Sequence, residues 1–297
     1  MWVARLALAC LVGLCALAQT GCAQPPAGPE DVSFGDPRPV TLRGYDGDAM
    51  EPFITRDDRY LLFNNRNEPA DRCDLHWAER IDDVTFAYRG LLTGANSGAL
   101  DAVPSLDREG SLYFVSTRSY AQSLATIYRG RFDAGQVTGV DLVPGLSLGR
   151  LGQVMFDAEI APDGQTLVAV DGQFSGGAVP SSARLVLARR EGERFVRQAE
   201  SDRLLKPIND LGMVYAPSVS ADLLELFFTR LDGTTLTASA TIWRSTRPAA
   251  DQPFGPPARL SALSGFVEAP SLSGDGRRLY YHQREPGGFR LKMITRR

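Results

Sequence analysis

Short runs of alternating apolar and polar residues recur along this chain in a fixed order. The string EAPSLSGDGRRLYYHQRE, from Glu268, holds a Pro-Ser pair, a turn closed by Asp275-Gly276, the apolar run Leu279-Tyr280-Tyr281 and a polar cluster. Four other stretches repeat it: EPFITRDDRYLLF from Glu51, VPSLDREGSLYF from Val103, DAEIAPDGQTLVAV from Asp157 and APSVSADLLELFF from Ala216. The third has Ala158 in place of the proline, and the fourth has lost its turn glycine. With Pro52, Pro104, Ala158, Pro217 and Pro270 as anchors, subtraction of positions gives steps of 52, 54, 59 and 53 residues.

A second element follows each copy: LHWAER ending at Arg80, TIYRGR at Arg131, RLVLAR at Arg189, TIWRST at Thr246 and RLKMIT at Thr295. These stretches alternate about an aliphatic or aromatic centre, the pattern of a half-buried strand. A weaker fourth strand follows in most units, as in VTFAYRG, FVRQAE and ARLSAL. Four short strands per unit, without a helical period, predict an all-β chain built as a β-propeller. One blade cannot bury both its faces, whereas a closed ring of blades can. In the turns, Asp caps its own loop and Gly takes the positive-φ position.

The fifth unit ends at Arg297, after its third strand, so its outer strand must come from elsewhere. The segment RPVTLRGY, Arg38–Tyr45, has strand character and is expected to complete that blade. Five blades then use the whole mature chain. Six would need a divergent unit, and no stretch is left for one.

Composition adds exclusions. The hydrophobic share of 43% and charged share of 23% are those of a globular protein. A net charge of -3 gives no basic footprint for nucleic acid. Two histidines, His76 and His282, argue against a His-based metal site, and no cofactor is expected.

The first residues read as a targeting segment. Arg5 precedes an apolar run from Leu6 to Leu17, too short to span a bilayer comfortably and suited to a signal-peptide core. Ala16-Leu17-Ala18 fits a signal-peptidase site. Thr20-Gly21-Cys22 resembles the end of a bacterial lipobox, which implies lipidation at Cys22, although Gln19 departs from that pattern. Residues 23–37 then read as a flexible tether and 38–297 as the propeller. Cys10 and Cys15 leave with the signal. Cys73 is therefore a lone thiol if Cys22 is acylated, or its disulfide partner if cleavage follows Ala18. The first route predicts a periplasmic protein anchored to a membrane, with Ala23 favouring the outer one. The second predicts a secreted protein.

The strings PSLSGDGRRLYYHQRE and VPSLDREGSLYFVSTRS resemble the WD40-like propeller repeats of the TolB type. The resemblance spans Pro39–Arg297 and implies a propeller without the α/β domain that TolB carries in addition. It also implies an envelope protein that binds other envelope components.

In such propellers the loops entering the innermost strands and those leaving the second strands share one face. On it this sequence places Asp48, Glu51, Asp101, Asp157, Glu159 and Glu268, together with Arg66, Arg118, Arg230, His282 and Arg284. Two functions fit: a non-catalytic scaffold that binds a protein or a peptidoglycan or glycan component through this face, or a glycosidase. Glycosidases work with paired carboxylates, and Asp101, Asp157 and Glu268 are the candidates for such a pair. The arginines also fit a structural role, pairing with nearby acids to dock blades. GYDGDAME (Gly44–Glu51) reads as a turn rather than a Ca²⁺ loop. Trp77 and Trp243, at matching strand positions, read as blade packing.

Overall fold

A computed structural model describes residues 28–67, 72–175, 180–233 and 237–297. The signal segment, Cys22, and parts of the third- and fourth-unit loops (176–179 and 234–236) lie outside the described residues.

Three short strands open the chain: β1 (Glu30–Asp31), β2 (Phe34–Pro39) and β3 (Thr41–Arg43). Blade 1 comprises β4 (Met50–Ile54), β5 (Tyr60–Asn64), β6 (Leu75–Arg80) and β7 (Thr85–Leu91). Blade 2 follows with β8 (Asp101–Leu106), β9 (Ser111–Ser116), β10 (Ile127–Asp133) and β11 (Gln136–Leu142). Blade 3 is β12 (Gln153–Ile160), β13 (Thr166–Gln173), β14 (Ser182–Glu191) and β15 (Arg194–Arg197). Blade 4 holds β16 (Met213–Val219), β17 (Glu225–Asp232), β18 (Ser239–Thr246) and β19 (Ala258–Leu260). Blade 5 has β20 (Val267–Leu272), β21 (Arg278–Glu285) and β22 (Gly288–Arg296). Within each blade the strands are antiparallel neighbours in chain order, so the protein is an all-β, five-bladed propeller.

The N-terminal segment closes the ring, but mostly not with the residues expected. The outer strand of blade 5 is β2, which pairs Phe34 with Arg296 and Pro39 with Lys292 and so shares only Arg38 and Pro39 with the expected segment Arg38–Tyr45. β3 instead runs parallel to β7 of blade 1, and β1 runs parallel to β19 of blade 4. Strand structure thus begins inside the expected tether. The sequence FGDPRP looks unlike a strand because of its Gly and two Pro residues, but an outermost strand tolerates missing donors. Phe34 anchors it, almost fully buried and edge-on to Phe227 at 5.6 Å.

The repeat earns its residues at the blade interfaces. In four innermost strands the residue before the repeat proline has a left-handed backbone: Glu51 (φ 47), Val103 (55), Ala216 (49) and Ala269 (54). Each sits in a bulge that breaks the ladder to the second strand. The bulge turns that residue's amide towards the preceding blade, where a side chain receives it. Asn64 Oδ1 accepts from Val103 at 3.1 Å, Thr229 Oγ1 from Ala269 at 3.0 Å and His282 Nδ1 from Glu51 at 3.1 Å. Asp157 Oδ2 accepts from Ala216 at 3.2 Å.

The serine after the proline makes a second staple. Ser105, Ser218 and Ser271 accept the amides of Ile160, Leu272 and Ile54 in the next blade, at 2.9, 3.0 and 3.0 Å. In blade 3 Glu159 stands at that position and accepts from Val219 at 2.9 Å. The turns are closed as the sequence suggests. Asp275 Oδ1 accepts from Ser273 Oγ and the Arg277 amide at 2.6 and 2.9 Å, with Gly276 at φ 72.

Candidate functional site

The innermost strands β4, β8, β12, β16 and β20 surround the axis, and they bring Glu51 and Glu268, near the starts of β4 and β20, together with Asp157, midway along β12, in a buried cluster. Glu268 is fully engaged: Tyr215 Oη donates to Oε1, and His282 Nε2 lies 3.1 Å from Oε2. Since His282 Nδ1 accepts the Glu51 amide, its Nε2 carries the hydrogen and donates to Glu268. Burial works against a charged ring here, while the Glu268 contact and the charges of Glu51 and Glu268 raise its pKa on balance. A second proton would have to displace the Glu51 amide from Nδ1, so we assign the neutral tautomer.

Asp157 has one partner, the Ala216 amide on Oδ2. Asp157 Oδ1 is buried and finds no hydrogen bond among the described residues. Burial, then the nearby charges of Asp157 and Glu268, push the Glu51 carboxyl up to about 8. Burial and the charge of Glu268 likewise raise Asp157 to about 8, opposed by the Ala216 amide. Both hold protons at neutral pH.

Glu51 and Asp157 line a partly open axial cavity whose other walls include Pro52, Pro104, Pro217 and Pro270. Its volume is about 20 Å³, room for a water or two. A benzene-sized ring needs a cavity of about 150 Å³. Further along the axis, Glu159 pairs with Arg56 at 2.9 Å, and both side chains are buried. Arg56 also donates to the Ile160 carbonyl at 3.0 Å.

The remaining expected site residues are committed to other contacts. Asp101 accepts from Ser97 and pairs with Arg118 at 2.6 Å, and it does not line the cavity. That separates it from Asp157 and Glu268, with which it was expected to act. Arg118 also stacks on Tyr128, 4.9 Å from the ring centre. Asp48 joins blade 1 to blade 5, pairing with Arg66 at 2.7 Å and receiving the Phe289 amide at 2.7 Å. Arg230 pairs with Asp232 at 2.7 Å and lies over Trp243, while Arg284 covers Phe266 at 4.4 Å. Cys73 is a free, fully buried thiol whose pKa burial raises. Its alternative partner, Cys22, lies outside the described residues.

Two features escaped the sequence reading. Tyr215 gives Glu268 its second donor, and a lone Tyr carried no signal. Leu148 and Leu151, in the loop entering β12, stand 45% and 72% exposed on the face where the acids begin. Leu148 also borders a groove between blades 2 and 3 that is lined by Leu124, Val143 and the Asp171–Arg197 pair. No group of three or more metal-ligating side chains is found among the described residues.

No family model and no curated protein matches the sequence. Solved structures match by fold. The family 117 glycoside hydrolase Zg3597 of Zobellia galactanivorans superposes with a TM-score of 0.54 at 13% identity, over 89% of this chain and 90% of that one. A thermostable family-43 glycoside hydrolase gives 0.53 at 15%, over 87% and 92%. A TolB-like propeller from Agrobacterium tumefaciens gives 0.48 at 13%, over 87% and 85%. At such identities the likeness extends to the fold alone.

Proposed function

We propose that this chain is a non-catalytic propeller of the TolB type, anchored to the envelope through Cys22, that binds a protein or cell-wall partner on the face where the innermost strands begin. The observation that carries this reading is the pair Leu148 and Leu151, exposed on that face beside the blade 2–3 groove. Exposed apolar side chains beside a groove, as Leu148 stands with Leu151 three residues on, are a feature of interaction surfaces. The axial acids, by contrast, border a cavity with only water-sized space. The signal segment supports placement in the periplasm at the outer membrane, or secretion if cleavage follows Ala18. A photo-crosslinking side chain at Leu151, introduced in the native host, tests the reading. A discrete adduct that disappears with Leu148→Arg supports it, and no adduct from a folded, exported chain overturns it.

A second reading, glycoside hydrolysis, rests on the proton-retaining pair Glu51 and Asp157 and gains some support from the propeller glycoside hydrolases among the structural neighbours. It requires the axial cavity to widen enough for a sugar ring. Release of reducing sugar from a broad glycan panel, lost in Glu51→Gln and Asp157→Asn, would favour it. No release by the wild type would end it.

A further inference from the structure

We infer that the axial cavity is a receptor for one primary alkylammonium group, held between the carboxylates of Glu51 and Asp157 and collared by Pro52, Pro104, Pro217 and Pro270. This deepens the binding reading above, since it gives the chemistry by which a partner would engage the ring's centre. Three observations converge on it. The cavity has space for a water-sized group, and an ammonium head is of that size. Asp157, 1% exposed, is one of its lining residues, and its Oδ1 has no hydrogen-bond donor among the described residues. Four proline rings surround the same space, an apolar sleeve suited to a methylene stem.

The local charge favours the same ligand. Glu51, Asp157, Glu159 and Glu268 converge on the axis, and the facing cation, Arg56, is bound to Glu159. His282 is neutral and Tyr215 donates to Glu268, so neither supplies positive charge to the cavity. Without a ligand, Glu51 and Asp157 keep their protons. An arriving ammonium takes their place between the two carboxylates, and both protons pass to solvent. Binding therefore strengthens as pH rises through about 8, where the carboxyls ionise while an alkylammonium of ordinary pKa near 10.4 stays charged.

The test uses the whole mature chain and pentylamine as probe, with melting temperature followed at pH 6.5 and pH 8.5. The expected result is a rise of about 3 °C at roughly ten times the dissociation constant, larger at pH 8.5 and lost in Asp157→Asn. Glu51→Gln serves as the second variant if Asp157→Asn does not fold. Equal shifts with 1-pentanol would mean an apolar effect, and equal shifts with potassium chloride a general cation site. Either result overturns the inference, as does no shift in the folded wild type. Acetyl-lysine amide and glycyl-alanine amide then separate a side-chain amine from an N-terminal one. If crosslinking at Leu151 succeeds while pentylamine fails, the scaffold reading stands and the ammonium inference falls.

Discussion

Arg56 reaches across the propeller axis from blade 1 to Glu159 in blade 3, with Nη2 2.9 Å from Oε1. The two residues are 103 positions apart and belong to blades that are not neighbours. Glu159 occupies the position that holds serine in blades 2, 4 and 5, and it performs the same staple with the Val219 amide. Arg56→Met should therefore cost about 3–5 kcal/mol by leaving a buried acid unpaired. Adding Glu159→Ser should restore most of the loss, because a hydroxyl there can still accept from Val219. Chemical denaturation of the two variants measures the difference; a double variant no more stable than Arg56→Met would refute the account.

Ser271→Ala removes the acceptor of the Ile54 amide where blade 5 meets blade 1. A buried amide left without a partner costs about 1–3 kcal/mol. The expected fall in urea midpoint, with an unchanged slope, would identify the staple as part of the cooperative unit.

Stability should respond to pH through the axis. Glu51 and Asp157 carry folded pKa values near 8, well above the ordinary carboxylate range, so the native state binds more protons than the unfolded chain. Their contribution is full below about pH 4 and is lost as pH rises towards 8. Glu51→Gln should flatten that decline and melt higher than wild type at pH 8. His76 acts oppositely: burial lowers it to about 4, so its contribution is full above about pH 6.5 and lost as pH falls towards 4. Melting curves across pH 4–9 for wild type and Glu51→Gln check both limbs, and parallel curves would contradict the assignment of Glu51.

Ala134 lies at φ 42 in the tight turn Ala134-Gly135 that joins β10 to β11, and its side chain is exposed. A two-residue hairpin of this kind favours Asn before Gly. Ala134→Asn should raise stability by about 0.5–1 kcal/mol, read as a melting temperature about 1–4 °C higher. Gly135 itself should not be changed, since a Cβ there would run into the Trp77 ring.

The blades were legible because their recurrent residues serve recurrent contacts. The Pro-Ser pair marks the bulge and the staple, and Asp-Gly marks the turn. All five third strands fall where their alternating stretches place them. The closing strand was placed four residues late because Gly35 and Pro37 disguise the start of an outer strand whose pairing depends on the far end of the chain. The acids were legible as residues but not in their roles. Asp101 looks like Asp157 in sequence, and only Ser97 and Arg118 reveal it as a structural carboxylate. The role of His282 did leave a trace. Asn64, Thr229 and His282 each stand 12 residues after a repeat proline, and each receives an amide from the next blade.

The pairing of Phe34 with Arg296 also sets an order of events during synthesis. β2 is among the first segments made, yet its partner strand β22 is among the last. Until the C-terminal residues emerge, blade 5 lacks its strands and blades 1 and 4 lack a neighbour at that side. The ring can therefore close only once β22 has emerged, through a contact of very long sequence separation, which slows folding and prolongs exposure of unpaired strand edges. A chain that crosses a membrane unfolded would meet this requirement naturally, because both ends become available together only on the far side.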